Sequence, residues 1–164
     1  MHGTHWNSFG AFLGYRTLME YIVRDFPELK MFSLDDFKLD TVISGSDDLT
    51  GMLSLKIPEE DVLLEPKYNG NVIQQDDKLT IPDYFSGNPE NYEIRFINRT
   101  RPLKVLIFRD SFFIAMMPFI KDSFGESVFI WTPYDRSVLE IEKPDLVICE
   151  MVERNIEDFR NIHL

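Results

Sequence analysis

Residues 104–112 read Lys-Val-Leu-Ile-Phe-Arg-Asp-Ser-Phe, and this stretch decides the fold. The run Lys104–Phe108 is apolar after its first residue, as in strands that are buried on both faces of a parallel sheet. Two similar runs follow at Ser127–Trp131 and Leu146–Glu150. Helical or turn-like segments separate the three runs. This alternation predicts an α/β fold with a mainly parallel sheet that helices cover.

The segment after the first run predicts a helix from Ser111 to about Phe124. Pro118 lies in its middle, and proline removes a helical hydrogen bond, so a kink or a break is expected there. Residues 136–142 read as a short helix or a turn. The carboxyl ends of parallel strands form the ligand-binding edge in such sheets, and Ser111, Thr132 and Glu150 all follow strand ends.

The first hundred residues are less regular. Apolar spacing predicts a helix that Asn7 or Ser8 caps and that runs to about Arg24, before Pro27. Residues 31–55 read as irregular, apart from a short helix after the cap Ser46-Asp47-Asp48. Short strands are predicted at Val62–Leu64, Val72–Gln74 and Tyr92–Ile97.

Length and composition indicate one globular domain over residues 1–164, with 44% hydrophobic residues. The net charge of −11 argues against nucleic acid and anionic lipid as partners. Cys149 lies in an apolar run and reads as a buried small side chain. No apolar run is long enough to span a membrane, and no signal peptide is present. The abrupt start leads us to expect the C-terminal part of a longer, exported protein, truncated at its N-terminus.

Ser111 and His5 are the candidates for chemistry. A serine on a strand-to-helix turn can be an acyl-transfer nucleophile, and the free amides of the turn can stabilise an oxyanion. The alternative is that Asp110 or Ser111 is simply the helix N-cap. His5 is a candidate general base, or an incidental histidine near a terminus. The segment from Glu150 to Arg154 is either support for such a site or a solvated edge.

Several kinds of site are not supported. The chain has no glycine-rich phosphate loop, so no nucleotide cofactor is expected. The acidic runs Glu59-Glu60-Asp61 and Asp76-Asp77 lack the histidine and cysteine partners of a transition-metal site and the spacing of a calcium loop. We expect no cofactor and no metal.

Three segments together resemble the SGNH-hydrolase-like domain of the alginate O-acetyltransferase family of bacterial exopolysaccharide systems. In that family an Asp-x-His-Trp motif precedes a helix, a strand followed by Asp-Ser-Phe carries the nucleophilic serine, and a Pro-Asp strand leads into Glu-Arg. The matching segments here are Thr4-His5-Trp6-Asn7, Leu106–Phe112 and Lys143–Arg154. The histidine precedes the serine, which is the circularly permuted order of this family.

The resemblance implies a three-layer α/β/α, flavodoxin-like fold and a serine acyl-enzyme reaction, with Ser111 as nucleophile and His5 as base. It implies a polysaccharide and an acyl donor as substrates, exopolysaccharide-assembly proteins as partners, and a periplasmic or exported location. Supporting or oxyanion roles fall to Arg109, Asp110, Phe112, Glu150 and Arg154. Substrate-binding roles fall to Trp6, Asn7, Thr132, Tyr134 and Arg136.

One residue departs from the family pattern. Gly3 stands where the family has the acid of the triad, and loss of that acid costs several orders of magnitude in rate. Three explanations are open. The acid of the triad lay upstream and is missing, another acid such as Glu150 replaces it, or this copy of the domain is inactive. Three functions therefore stay open: an O-acetyltransferase or acetylesterase, a catalytically impaired polysaccharide-binding or assembly module, and a truncated product. The module would line a groove with Trp6, Trp131, Tyr134 and Phe112.

Overall fold

The computed structural model of the chain describes residues 4–45, 48–68, 70–75 and 93–161, and its first element is the helix α1 (Ser8–Asp25). Asn7 caps this helix, since its Oδ1 accepts a hydrogen bond of 2.9 Å from the Gly10 amide. The helix ends before Pro27, as predicted. Its apolar face is buried through Ala11, Phe12, Tyr15, Met19 and Ile22.

An antiparallel ribbon follows α1 in the chain and precedes the main sheet. Its strands are β1 (Phe37–Ser44) and β2 (Glu59–Pro66), and the short helix α2 (Asp48–Met52) lies between them. The prediction of irregular structure over 31–55 is therefore wrong for β1, because this strand depends on pairing with a distant partner. The predicted cap residues Ser46 and Asp47 lie outside the described residues. The ribbon contacts α1 where the Leu64 amide donates to Ser8 Oγ at 3.2 Å.

The main sheet has five strands in the described part of the chain, in the order β3-β4-β6-β5-β7. Strands β5, β6 and β7 are parallel, whereas β3 and β4 are antiparallel additions on one side, so the sheet is mixed rather than mainly parallel. The register sets Phe108 opposite both Ile130 and Cys149. The five strands are Val72–Gln75, Glu93–Asn98, Lys104–Phe108, Glu126–Ile130 and Leu146–Cys149.

The predicted helix between β5 and β6 is interrupted near Pro118, as expected. A 3-10 helix covers Phe112–Ala115, and a separate short helix α3 (Met117–Ile120) has the proline in its first turn. Proline is tolerated there because the first amides of a helix have no partner within it. The predicted continuous helix to Phe124 is therefore two shorter pieces. The later helices are α4 (Arg136–Glu142) and a C-terminal 3-10 helix (Glu153–Asn161).

Apolar side chains are buried on both faces of the sheet. On one face Val105, Ile107 and Phe129 pack with α1, α3 and the base of the ribbon. The other face carries a second apolar cluster, in which Leu106, Phe108, Val128 and Ile130 pack against Val138 of α4. The alternation of adjacent residues between the two clusters follows from the period of two along a strand. The chain is thus a mixed α/β structure with few helices.

Strand β7 lies at the edge of the sheet. Its residues are half-buried or exposed, and Cys149 is exposed. The prediction that Cys149 is buried is wrong, because among the described strands β7 pairs with β5 alone. No helix in the described residues has the length and apolar character needed to cross a membrane.

Candidate active site

Ser111 follows β5 on a turn that Asp110 holds. Asp110 Oδ1 accepts from the Phe112 amide at 2.7 Å, and Asp110 Oδ2 accepts from the Val152 amide at 2.8 Å. Ser111 stands at the N-cap position of the 3-10 helix, but its side chain makes no capping hydrogen bond. Asp110 therefore takes the capping role, which leaves Ser111 Oγ for another partner.

That partner is His5, which lies 106 positions earlier in the chain. His5 Nε2 is 2.9 Å from Ser111 Oγ, at an exposed position. The other ring nitrogen, Nδ1, is 3.1 Å from Thr4 Oγ1. If Nδ1 carries the proton and donates to Thr4, Nε2 is the acceptor for the serine hydroxyl, which is the tautomer that a general base needs.

Phe112 connects the histidine segment to the serine turn. Its ring centroid is 4.5 Å from that of His5, and its carbonyl oxygen accepts a hydrogen bond of 2.9 Å from Trp6 Nε1. The Arg154 guanidinium lies 5.5 Å from the centroid of the Phe112 ring. An arginine from the segment after β7 therefore stands beside the residue that follows the serine.

Glu150 lies under the same turn. Its Oε2 accepts from the Asp110 amide at 3.1 Å, which joins the ends of β5 and β7. Burial raises the pKa of Glu150 to about 7, and the nearby Asp110 carboxylate acts in the same direction. The Arg109 guanidinium opposes this rise.

Arg109 is buried inside the turn, with 3% of its surface exposed. Its Nη1 donates to the Asp110 carbonyl oxygen at 3.2 Å, and its guanidinium lies 5.0 Å from the centroid of the Trp131 ring. Burial lowers its pKa, which the carboxylates of Glu150 and Asp110 counteract. Its contacts make Arg109 a support for the turn.

The structure brings together eight of the twelve residues nominated for the site from the sequence, all within the contacts just given. Arg154 lies at the rim of this group and is the eighth nominated residue that the site contains; the other seven are His5, Trp6, Arg109, Asp110, Ser111, Phe112 and Glu150.

Four nominated residues lie elsewhere. Asn7 is the cap of α1, Tyr134 packs on the second apolar cluster with its ring centroid 5.3 Å from that of Phe108, and Arg136 is exposed and paired with Glu140 at 3.2 Å. Thr132 is buried at the end of β6. Among the described residues, none of these four forms a hydrogen bond with His5 or Ser111.

The four aromatic residues of the predicted groove are also separated. Trp6 and Phe112 contact each other, with ring centroids 6.3 Å apart. Trp131 instead lies against Arg109, and Tyr134 lies against Phe108. The ring contacts of the described residues therefore do not assemble these side chains into one groove.

Sequence reasoning missed two groups at the site. The Thr4 hydroxyl contacts His5 Nδ1, and the Val152 amide donates to Asp110. Thr4 was visible as the neighbour of His5, but no sequence signal pointed to a backbone amide after β7. Gly3, where the resemblance expects an acid, lies outside the described residues.

No group of three histidine, cysteine, aspartate or glutamate side chains that could hold a metal ion occurs within the ranges that the structure describes. The Asp76-Asp77 run lies outside those ranges.

The fold is similar to that of three solved structures. PatB1 from Bacillus cereus matches with a TM-score of 0.66 and 19% identity, over 94% of this chain and 62% of that chain. A structure of PatB1 with a sulfonyl adduct matches with a TM-score of 0.64 and 18% identity, over 93% and 59%. A DHHW family protein from Eubacterium siraeum matches with a TM-score of 0.67 and 16% identity, over 99% and 63%.

The TM-scores show a shared fold, and at identities below 20% they show the fold alone. The chain spans about three fifths of the length of each of these structures. No protein-family model matches the sequence, and no curated protein matches it.

Proposed function

We propose that this chain is a serine-dependent O-acyltransferase, with acetyl as the acyl group and a polysaccharide hydroxyl as the acceptor. The observation that carries the proposal is the distance of 2.9 Å between His5 Nε2 and Ser111 Oγ, since only the fold brings together two residues 106 positions apart. A hydroxyl hydrogen-bonded to an imidazole nitrogen is the arrangement of an activated nucleophile.

In the first half of the reaction, Ser111 Oγ attacks the acyl carbonyl carbon and its proton moves to His5 Nε2. The tetrahedral intermediate expels the leaving group of the donor, which takes the proton from His5, and an ester remains on Ser111. In the second half, a sugar hydroxyl gives its proton to His5 and attacks this ester. Ser111 Oγ then leaves, recovers the proton, and the acyl group stays on the sugar.

The Ser111 amide is the candidate oxyanion donor. It lies at the start of the 3-10 turn and donates no hydrogen bond to another group in the described part of the chain. An amide that is already oriented toward the developing charge stabilises the tetrahedral intermediate without reorganisation.

The Thr4 hydroxyl takes a place at His5 Nδ1 where a triad has its acid. A hydroxyl can fix the tautomer of the imidazole, but it carries no charge to stabilise the imidazolium, so we expect slower turnover than an acid-backed triad gives. Glu150, the alternative acid, is hydrogen-bonded to the Asp110 amide and supports the turn.

The likenesses support this class of reaction. The name DHHW, taken as one-letter residue codes, fits the Asp-x-His-Trp pattern whose last two residues are His5 and Trp6 here. A PatB1 structure contains a sulfonyl adduct, and sulfonyl reagents form such adducts with activated nucleophiles. We further propose a reduced SGNH-like three-layer architecture, an exopolysaccharide acceptor, assembly proteins as partners and a periplasmic or exported location.

The first test uses phenylmethanesulfonyl fluoride and mass spectrometry of the intact and digested protein. We expect one adduct, on Ser111, that Ser111→Ala abolishes and that His5→Ala slows by at least about 100-fold. Ser54→Ala, which changes an exposed serine after α2, is the matched control and keeps the labelling rate. A folded wild-type chain that reacts at another residue, or at none, contradicts the proposal.

The second test measures transfer. Acetyl from p-nitrophenyl acetate should appear as an ester on exopolysaccharide oligosaccharides, with peptidoglycan fragments and water as competing acceptors. Release of acetate alone indicates an esterase, and Ser111→Ala should abolish either reaction.

A further inference from the structure

Trp6 packs closely on α1 against Gly10 and Gly14, which together form the glycine seat of this tryptophan. Gly10 and Gly14 lie one helical turn apart, and a Cβ atom at Gly14 would stand 3.0 Å from Trp6 Cη2 and 3.1 Å from Cζ3. A Cβ atom at Gly10 would stand 3.2 Å from Trp6 Cβ. The two glycines therefore let the tryptophan approach the helix backbone more closely than any other residue would.

The opposite end of the indole reaches the serine turn. Trp6 Nε1 donates to the Phe112 carbonyl oxygen at 2.9 Å, in a half-buried position. The same two segments carry the hydrogen bond between His5 and Ser111, which is exposed. The two hydrogen bonds therefore run side by side. Trp6 directly follows His5 in the chain, and its partner Phe112 directly follows Ser111.

We propose that Trp6 is a positioning residue that holds His5 in hydrogen-bond reach of Ser111. The exposed bond between His5 and Ser111 competes with water, whereas the Trp6 bond is half-buried and is fixed at one end by the glycine seat. Holding a residue in one conformation costs conformational entropy, and the Trp6 contacts offset that cost for the neighbouring residue His5. This role replaces the substrate contact that the sequence assigned to Trp6, and for catalysis it rests on the proposed function.

The decisive variant is Trp6→Phe, which removes the indole N–H and keeps an aromatic ring on α1. We expect kcat to fall about 10- to 100-fold with KM unchanged, because a small misplacement of the base slows the chemical step. A substrate-binding role predicts instead a raised KM with little change in kcat. Tyr21→Phe, which removes a polar hydrogen from an exposed ring on the same helix, is the control and should leave both constants unchanged.

A second variant keeps the N–H and moves the ring. Gly14→Ala places a methyl group against the indole, although alanine is the better helix former, so α1 itself is not weakened. We expect kcat to fall by several-fold, between wild type and Trp6→Phe. A Gly14→Ala protein with full activity would overturn the claim that the glycine seat of Trp6 positions His5.

A measurement without turnover separates this inference from the proposed function. NMR of the imidazole resonances, with His5→Gln to assign them, reports the surroundings of His5 in each folded variant. We expect Trp6→Phe to move the His5 signals toward those of free histidine and Tyr21→Phe to leave them in place. If the wild-type chain has no acyltransferase activity, this shift still supports the positioning role. Unchanged His5 signals in Trp6→Phe would overturn it.

Discussion

At the scale of single residues, Asp110 decides what Ser111 can do. The hydroxyl oxygen of a serine at the start of a helical turn usually accepts a hydrogen bond from a free backbone amide. Here both carboxylate oxygens of Asp110 take amides, one from Phe112 and one from Val152. The serine hydroxyl is left to contact His5, which the proposed role of Ser111 as nucleophile requires.

Glu150 provides a test of the electrostatics below this turn. The pKa of its carboxyl is about 7 in the folded chain, above its ordinary value of 4.5, mainly because it is buried. The folded chain therefore holds this proton more tightly, and the resulting stability is complete below about pH 4.5 and is lost as the pH rises through about 7. Gln mimics the protonated carboxyl at every pH.

We therefore expect Glu150→Gln to gain stability relative to wild type as the pH rises from about 5 to about 8. The change in relative free energy of unfolding should be on the order of 1–2 kcal/mol, after allowance for partial solvent exposure. Urea unfolding of both proteins at the two pH values measures it, with Glu140→Gln on the exposed face of α4 as control. A relative stability that does not change with pH would contradict a raised pKa at Glu150.

At the scale of secondary-structure elements, an ion-pair network ties α4 to three strands. The Arg95 guanidinium on β4 contacts Glu93, Glu126 and Glu142, and Lys104 on β5 contacts Glu126 at 3.1 Å and Glu142 at 2.6 Å. Glu93 and Glu142 are almost fully buried. The network therefore spans β4, β5, β6 and α4, and the last three of these elements also carry the second apolar cluster.

Replacing Arg95 with alanine leaves these two buried carboxylates without their main cation. We expect a loss of about 3–5 kcal/mol in the free energy of unfolding, measured by urea denaturation. The control is Arg136→Ala, which breaks an exposed pair with Glu140 and should cost less than about 0.5 kcal/mol. Equal losses in the two variants would mean that the network adds nothing beyond a surface pair.

The pH dependence of the network has the opposite sign to that of Glu150. Burial favours the neutral form of Glu142, but the hydrogen bonds from Arg95 and Lys104 outweigh it and lower the pKa of this carboxyl. Its contribution is present above the ordinary value of 4.5 and is lost as the pH falls through the lowered value in the folded chain. At acid pH the free energies of unfolding of the wild type and Arg95→Ala should therefore differ less than at neutral pH.

At the scale of the whole molecule, the net charge of −11 acts on any charged acceptor. Three arginines that were nominated for the site have separate partners: Arg109 is buried against Trp131, Arg136 pairs with Glu140, and Arg154 lies over Phe112. The long-range field is therefore repulsive toward a polyanion, and salt screens it over about 10 Å at 0.1 M.

If the proposed function holds, kcat/KM for a uronate-containing oligosaccharide should rise several-fold between about 20 and 200 mM salt. A neutral oligosaccharide of equal length should show a flat response, because its approach is not steered by charge. Initial rates at subsaturating acceptor measure both. A rate with the anionic acceptor that falls with salt would mean that local cations such as Arg154 outweigh the overall charge.

The sequence predicted those parts of the fold whose signal is local. The apolar run Lys104–Phe108 is β5 to the residue, the neighbouring runs are β6 and β7 within one residue at each end, and Asn7 and Pro27 bound α1 as expected. The break at Pro118 followed from the chemistry of proline. In the site, His5 and Ser111 were nominated from a motif resemblance, and their contact agrees with it.

The tertiary structure alone decided what depends on distant partners. Strand β1 exists because β2 pairs with it, the sheet is mixed because β4 pairs with β6, and Cys149 is exposed because β7 has one neighbour. The same holds for three contacts at the site, because the groups that make them carry no sequence pattern. These are the contacts of Thr4 with His5, of the Val152 amide with Asp110, and of Trp6 with its glycine seat. Sequence by itself determines the apolar periodicity of an element, the caps of a helix and the positions where a helix breaks, because these depend on a few adjacent residues. The partner of a strand and the direction of a side chain depend instead on packing across the whole chain.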